Sequence, residues 1–190
     1  DWQLQATANN APYITGKTMA EKVVWEFNKR PGNKIVFTVI NPSFIVGPPA
    51  TLRTDGMSVG FMKNALEGEF WKGESEMLSR VSGVVDVRDV ADAHIAAMKT
   101  PNSAGRRIIV SSPLSFSRLE LLKLMQKDSN RRLNYYPLPL LSSSAASVIA
   151  KPTFDISRCK AVLNMELIPV QESLVEMGLF MSQAKMLNET

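Results

Sequence analysis

The stretch Pro12-Tyr-Ile-Thr-Gly-Lys-Thr-Met-Ala-Glu-Lys-Val-Val-Trp-Glu-Phe-Asn-Lys29, followed closely by Ile35-Val-Phe-Thr-Val-Ile40, decides the class of fold. In its first part Met19, Val23 and Phe27 recur at helical spacing, with Ala20 and Val24 beside them. Asn9-Asn10-Ala11-Pro12 is a helix-entry signal, because proline is tolerated in the first turn, where its missing N–H would be unpaired anyway. Pro31-Gly32 stops the helix, which is expected over residues 12–29. The run 35–40 is short, apolar and β-branched. Such a run fits a strand buried on both faces, as in a parallel sheet. A helix feeding a buried strand predicts an α/β fold.

The rest of the chain extends this pattern. Asn41-Pro-Ser-Phe-Ile-Val-Gly-Pro-Pro49 is expected to leave the sheet, in the position where open α/β sheets bind ligands. A helix is expected over 56–67, closed by Gly68. A second extended segment begins at Val84-Val85. Asp89 is read as the N-cap of a helix over 90–99, with Asp92 at its third position. A strand over 108–110 and helices over 117–126, 157–163 and 170–187 follow, and 144–151 is ambiguous. No internal repeat and no low-complexity linker interrupts the chain.

Composition narrows the function. Of 190 residues, 45% are hydrophobic and 21% charged, which excludes a disordered chain. The net charge of +4 is dispersed over Lys29-Arg30, Arg106-Arg107 and Arg131-Arg132, with no basic block interleaved with aromatics, so nucleic acid is not an expected partner. The longest apolar run, 137–150, is broken by Ser142, Ser143, Ser144 and Ser147, and no membrane association is expected. The single cysteine, Cys159, excludes an intrachain disulfide and suits a reducing, cytoplasmic setting. It is read as a packing residue. One histidine, His94, cannot build a multi-histidine metal site, so no metal is expected. His94 itself is read as a structural hydrogen-bonding residue.

Tyr13 and Lys17 carry the chemistry. Residues four apart on a helix share one face. A phenol titrates near pH ~10, too high for easy proton exchange at neutral pH, and a neighbouring ammonium favours the phenolate. A tyrosine so placed can serve as a general acid or base.

Four ordered stretches then resemble the extended short-chain dehydrogenase/reductase superfamily. They are Tyr13-Ile-Thr-Gly-Lys-Thr-Met-Ala-Glu21, Ile40-Asn-Pro-Ser-Phe-Ile-Val-Gly-Pro-Pro49, Val85-Asp-Val-Arg-Asp-Val-Ala-Asp-Ala-His94 and Gly105-Arg-Arg-Ile-Ile-Val-Ser111. Within that superfamily the likeness is to the dihydroflavonol reductase and cinnamoyl-CoA reductase group. The resemblance implies the C-terminal part of a Rossmann-like, doubly wound parallel sheet over residues 1–111, with a substrate-side insertion at about 48–83. Residues 112–190 would form mainly a small substrate-binding subdomain. It implies reduction of a ketone or aldehyde on a small organic molecule by NADPH, with NAD as the alternative cofactor. Tyr13 would protonate the carbonyl oxygen, and Lys17 would support Tyr13 and hold the nicotinamide ribose. The backbone of Pro42, Ser43, Phe44, Ile45 and Val46 would face the nicotinamide ring, and residues 48–62 and 136–153 would shape the substrate pocket.

The chain departs from the family pattern in two places. Gly16 stands where serine is usual, which suggests a close approach of another group. No Gly-rich phosphate loop occurs, and Thr7 is too close to Tyr13 to be the family's second catalytic hydroxyl. The chain is therefore expected to be the C-terminal half of such an enzyme, with one strand edge and apolar faces open to a missing N-terminal half or to a second copy. Two other readings stay open: a nucleotide-sugar epimerase or dehydratase with tightly held NAD, and a truncated, non-catalytic interaction module.

Overall fold

Thr7 and Asn10 fold upon each other ahead of the first helix. The Thr7 N–H donates to Asn10 Oδ1 at 2.7 Å, and the Asn10 N–H donates to Thr7 Oγ1 at 3.3 Å. Helix α1 (Pro12–Asn28) then starts on its proline, as the sequence indicates. The computed structural model describes residues 2, 6–68, 81–127 and 151–188. After α1 come β1 (Val39–Pro42), β2 (Phe44–Val46), α2 (Met57–Leu66), β3 (Val81–Asp86) and α3 (Val87–Lys99). A single turn, Pro101–Ser103, leads to β4 (Arg107–Val110) and β5 (Ser115–Ser117). Helices α4 (Arg118–Gln126), α5 (Ser157–Leu163) and α6 (Val170–Gln183) complete the order.

Among the described residues the strands form two small sheets. β1 runs parallel to β4, with Val39 opposite Arg107 and Pro42 opposite Val110. β2 runs parallel to β3, with Phe44 opposite Val84, and β5 adds to β3 antiparallel. At Ser43 the chain passes from the first sheet to the second, while the Ser43 N–H still donates to the Val110 carbonyl at 3.2 Å. The expectation that 41–49 leaves the sheet as a loop is corrected here: most of its first half is strand. The expected strand over 35–40 starts late for a related reason. The chain entering β4 offers backbone partners only from Gly105 onward, so the pairing opens with the Gly105 N–H donating to the Phe37 carbonyl at 2.8 Å and continues with the Val39 N–H donating to the Arg106 carbonyl. Ile35 and Val36 fall outside it and are 55% and 68% exposed.

Among the described residues two apolar cores hold these layers. The first gathers Met62, Leu66, Val84, Leu122, Leu174 and Met181 from α2, β3, α4 and α6. The second joins Val85, Ile108, Val110, Cys159 and Leu163 under α3 and α5. Burial of such side chains stabilises each by about 1.5–3 kcal/mol. A capping box fixes the start of α4, with Ser117 and Glu120 bonding each other's backbone N–H. Helix α1 stands apart. None of its residues is buried, and Met19 and Val23 are largely exposed.

The start of α3 corrects a second expectation. Its N-cap is Asp86, whose side chain accepts from the Arg88 N–H, and not Asp89. Arg88 also forks onto Asp86 and pairs with Glu176 of α6 at 2.6 Å. Asp89 is instead buried and accepts from the Ile168 N–H at 2.9 Å, which ties α3 to the chain before α6. Burial pushes the Asp89 carboxyl up. For Asp86 burial also pulls upward, but bonds from Arg88 and Ser173 and the Arg88 charge outweigh it, and the group is held below the usual carboxylate range.

A pH dependence follows from this lowering. The contribution of the Asp86–Arg88 pair is fully present above the unfolded carboxylate value of about 4 and is lost as pH falls through the lower folded value. Unfolding midpoints measured across acid pH should show this loss, and Asp86→Asn should flatten that part of the profile. An identical acid profile in the variant would remove the pair as a source of stability.

Candidate active site

Tyr13 and Lys17 lie one turn apart on α1 and both line an open groove of about 650 Å³ between α1 and the first sheet. The opposite wall comes from the point where β1 passes into β2: Asn41, Pro42, Ser43 and Ile45. Parallel pairing with β4 places this crossing at the carboxyl end of β1. Tyr13 is 72% exposed, and neither it nor Lys17 is engaged in a hydrogen bond or ion pair among the described residues. Their donors are thus turned to the groove and solvent. The groove also holds a buried hydroxyl, Ser43 Oγ, that has no partner among the described residues. A buried donor without a partner carries a desolvation cost of about 1–3 kcal/mol that a bound polar group relieves.

Of the residues expected to face a nicotinamide, Pro42, Ser43 and Ile45 line the groove with Tyr13 and Lys17. Phe44 and Val46 belong to the first core. Val46 is 1% exposed, and the Phe44 ring meets Phe61 edge-on beneath the Arg118 guanidinium at 3.5 Å. Within β2, strand alternation sets Ile45 apart from Phe44 and Val46, while Pro42 and Ser43 precede β2, where the chain is still against β4.

The reach of α1 toward the sheet depends on residues that the sequence did not single out. Glu21, one turn beyond Lys17, accepts from Trp25 Nε1 at 3.1 Å and takes a two-pronged bond from Arg107. Burial pushes the Glu21 carboxyl up, but Arg107 and Trp25 outweigh it and lower it overall. Arg107 also lies over the Trp2 ring, 4.2 Å from its centroid. The spacing of Lys17, Glu21 and Trp25 was legible on the helix. The partner of Glu21, Arg107, lies 86 residues away and was not.

Other expectations resolve as follows. Gly16 has open space where a Cβ would stand, so the suggested close approach is absent among the described residues. His94 Nδ1 bonds the Val90 carbonyl of its own helix at 2.7 Å, a structural role. Cys159 is fully buried, and burial pushes its thiol up, as a packing residue requires. Within 48–62, Leu52 and Met57 are exposed while Phe61 and Met62 are buried. The expected pocket segment 136–153 and the ambiguous segment 144–151 lie outside the described residues as far as position 150, and so do positions 69–80 of the expected insertion. No described helix is long and apolar enough to cross a membrane.

With this geometry in place, comparisons with known proteins add the following. The model of the NAD dependent epimerase/dehydratase family matches residues 3–111. Cinnamoyl-CoA reductase 2 of Arabidopsis thaliana is 31% identical over 166 residues, covering 86% of this chain and 46% of that protein. A putative NADPH-dependent methylglyoxal reductase of Candida albicans is 26% identical over 175 residues, covering 91% of this chain and 51% of that one. The crystal structure of Candida albicans Gre2 in complex with NADPH superposes with a TM-score of 0.74 at 26% identity, covering 97% of this chain and 55% of that one. The chain spans about half the length of the curated relatives it matches.

Proposed function

Because the chain belongs to the NAD dependent epimerase/dehydratase family, we propose that it forms part of an NADPH-dependent reductase acting on a ketone or aldehyde of a small organic molecule. One observation carries the reading: the groove brings Tyr13 and Lys17 from α1 against Asn41, Pro42 and Ser43 at the end of β1. The reductase relatives support the choice of reaction, and two of the proteins compared are named for NADPH.

The residues present fit such a cofactor at its reacting end. Tyr13 and Lys17 offer uncommitted donors, and Ser43 offers an orphaned hydroxyl. Reduced nicotinamide, when bound, supplies hydride to the carbonyl carbon. The Tyr13 hydroxyl gives its proton to the carbonyl oxygen, so the product is an alcohol. Lys17, one turn along α1, offsets the negative charge left on the phenol oxygen and can hold ribose hydroxyls. Ser43 and Pro42 form the opposite wall and orient the ring. Residues 1–111 would serve mainly the cofactor and 112–190 mainly the substrate.

The sequence holds no Gly-x-x-Gly-x-x-Gly or Gly-x-Gly-x-x-Gly motif to cradle the cofactor's pyrophosphate at a helix N-terminus. Residues 1–190 alone are expected to bind NADPH more weakly than micromolar. The full natural polypeptide should oxidise NADPH in the presence of methylglyoxal or a cinnamoyl thioester. Micromolar NADPH binding by the 190 residues would overturn the first expectation. Failure of the full polypeptide to consume NADPH with any small carbonyl, alongside bound NAD or nucleotide sugar, would overturn the second in favour of an epimerase.

A further inference from the structure

A second hollow, of about 630 Å³, opens beside the first residue of β4, where Trp2, Trp25, Lys29, Arg106, Arg107 and Arg158 meet. Only Trp2 and Arg107 are shared with the Tyr13 groove. Its charge is unbalanced. Arg107 is neutralised by Glu21. Lys29, Arg106 and Arg158 have no ion-pair partner among the described residues. Asp155, the acid that feels Arg158, is committed to the Ser157 N–H at 2.9 Å.

The cations also keep most of their donors free. Arg106 uses Nε on the Asn102 carbonyl, and Arg158 uses one terminal nitrogen on the Arg107 carbonyl at 3.2 Å. A guanidinium has five N–H donors, so each retains a fork. These two backbone bonds fix where the forks stand, which lowers the ordering cost of a ligand. Guanidinium forks match the oxygens of phosphate groups. A single carboxylate offers one charge against three uncompensated cations, and the hollow is far larger than a carboxylate needs.

We propose that this hollow binds a small phosphate-bearing polyanion, held by Arg106, Arg158 and Lys29. The site is independent of the reductase reading and uses none of the residues assigned to that chemistry.

Inorganic pyrophosphate is the probe. Trp2 and Trp25 line the hollow, so tryptophan fluorescence, with calorimetry beside it, reports occupancy at fixed ionic strength. A saturable response is expected with pyrophosphate and not with sulfate at the same ionic strength. The double variant Arg106→Ser, Arg158→Ser should weaken binding by about tenfold or more, since it removes both charge-assisted forks. Lys29→Gln, on the exposed end of α1, should weaken it less and remains informative if the double variant fails to fold. Arg30→Ser, whose guanidinium lies over Phe27 outside the hollow, should bind as the parent does. No saturable response, an equal response to sulfate, or unchanged affinity in both the double and the Lys29 variants would overturn the proposal.

Discussion

Replacing Tyr13 with phenylalanine should lower carbonyl turnover by about 10²–10⁴-fold, the usual worth of a positioned general acid. The substitution removes one oxygen and keeps the ring. Tyr13 is 72% exposed and its hydroxyl bonds no described residue, so folding should be unaffected. The expected result is therefore a fall in kcat with an unchanged unfolding midpoint, measured in the full natural polypeptide. Lys17→Met should lower kcat and also raise KM for NADPH, because Lys17 is assigned both charge support and ribose contact. Loss of both stability and turnover in Tyr13→Phe would indicate a structural tyrosine. Full turnover in that variant would exclude Tyr13 as the proton donor.

Gly83→Ala should destabilise the fold, since an added Cβ there meets the nearest neighbour of any glycine whose surroundings are described. Gly83 sits in β3, where a Cβ would stand 2.3 Å from Ser111 Oγ and 2.7 Å from the Phe154 ring. Ser111 is fully buried and is part of the chain that follows β4, so it cannot swing into solvent. Overpacking of this kind costs about 1–3 kcal/mol. For a domain of this size that lowers the thermal midpoint by roughly 2–12 °C. Adding Ser111→Ala should recover part of the loss, since it removes the nearer of the two clashes and leaves the Phe154 contact. A Gly83→Ala protein as stable as the parent would mean that β3, Ser111 and Phe154 do not pack as described.

Gly47 illustrates the same principle by a different route. Its φ of +108° is one that side chains avoid, and a Cβ there would fall 2.9 Å from the Asp86 carboxylate. Close approach at Gly47 keeps β2 against the cap of α3. Neither glycine differs in the sequence from Gly16, which has open space around it. Whether a glycine is required depends on what comes near it from elsewhere in the chain.

Much of the candidate site was legible because it is local. Tyr13 and Lys17 share a face by helical periodicity alone, and Pro12 sets the start of that helix. The alternation of helices with short apolar strands indicated an α/β chain, and the expected elements appear in order, with β2 and β5 added among them. These properties depend on neighbours within a few residues, and the sequence states those neighbours directly.

Partnership across the chain decided the remainder. The extent of β4 sets where β1 begins, so Ile35 and Val36 fall outside the ladder despite their strand-like character. The Ile168 N–H, 79 residues on, makes Asp89 a tether and not the cap. The change of sheet at Ser43 turns Phe44 and Val46 into the core while Pro42, Ser43 and Ile45 stay at the groove. Glu21 waited for Arg107 to acquire a role. A single chain reports its own periodicity, but a buried contact is a property of two segments. Only their folded proximity says which side chain meets which.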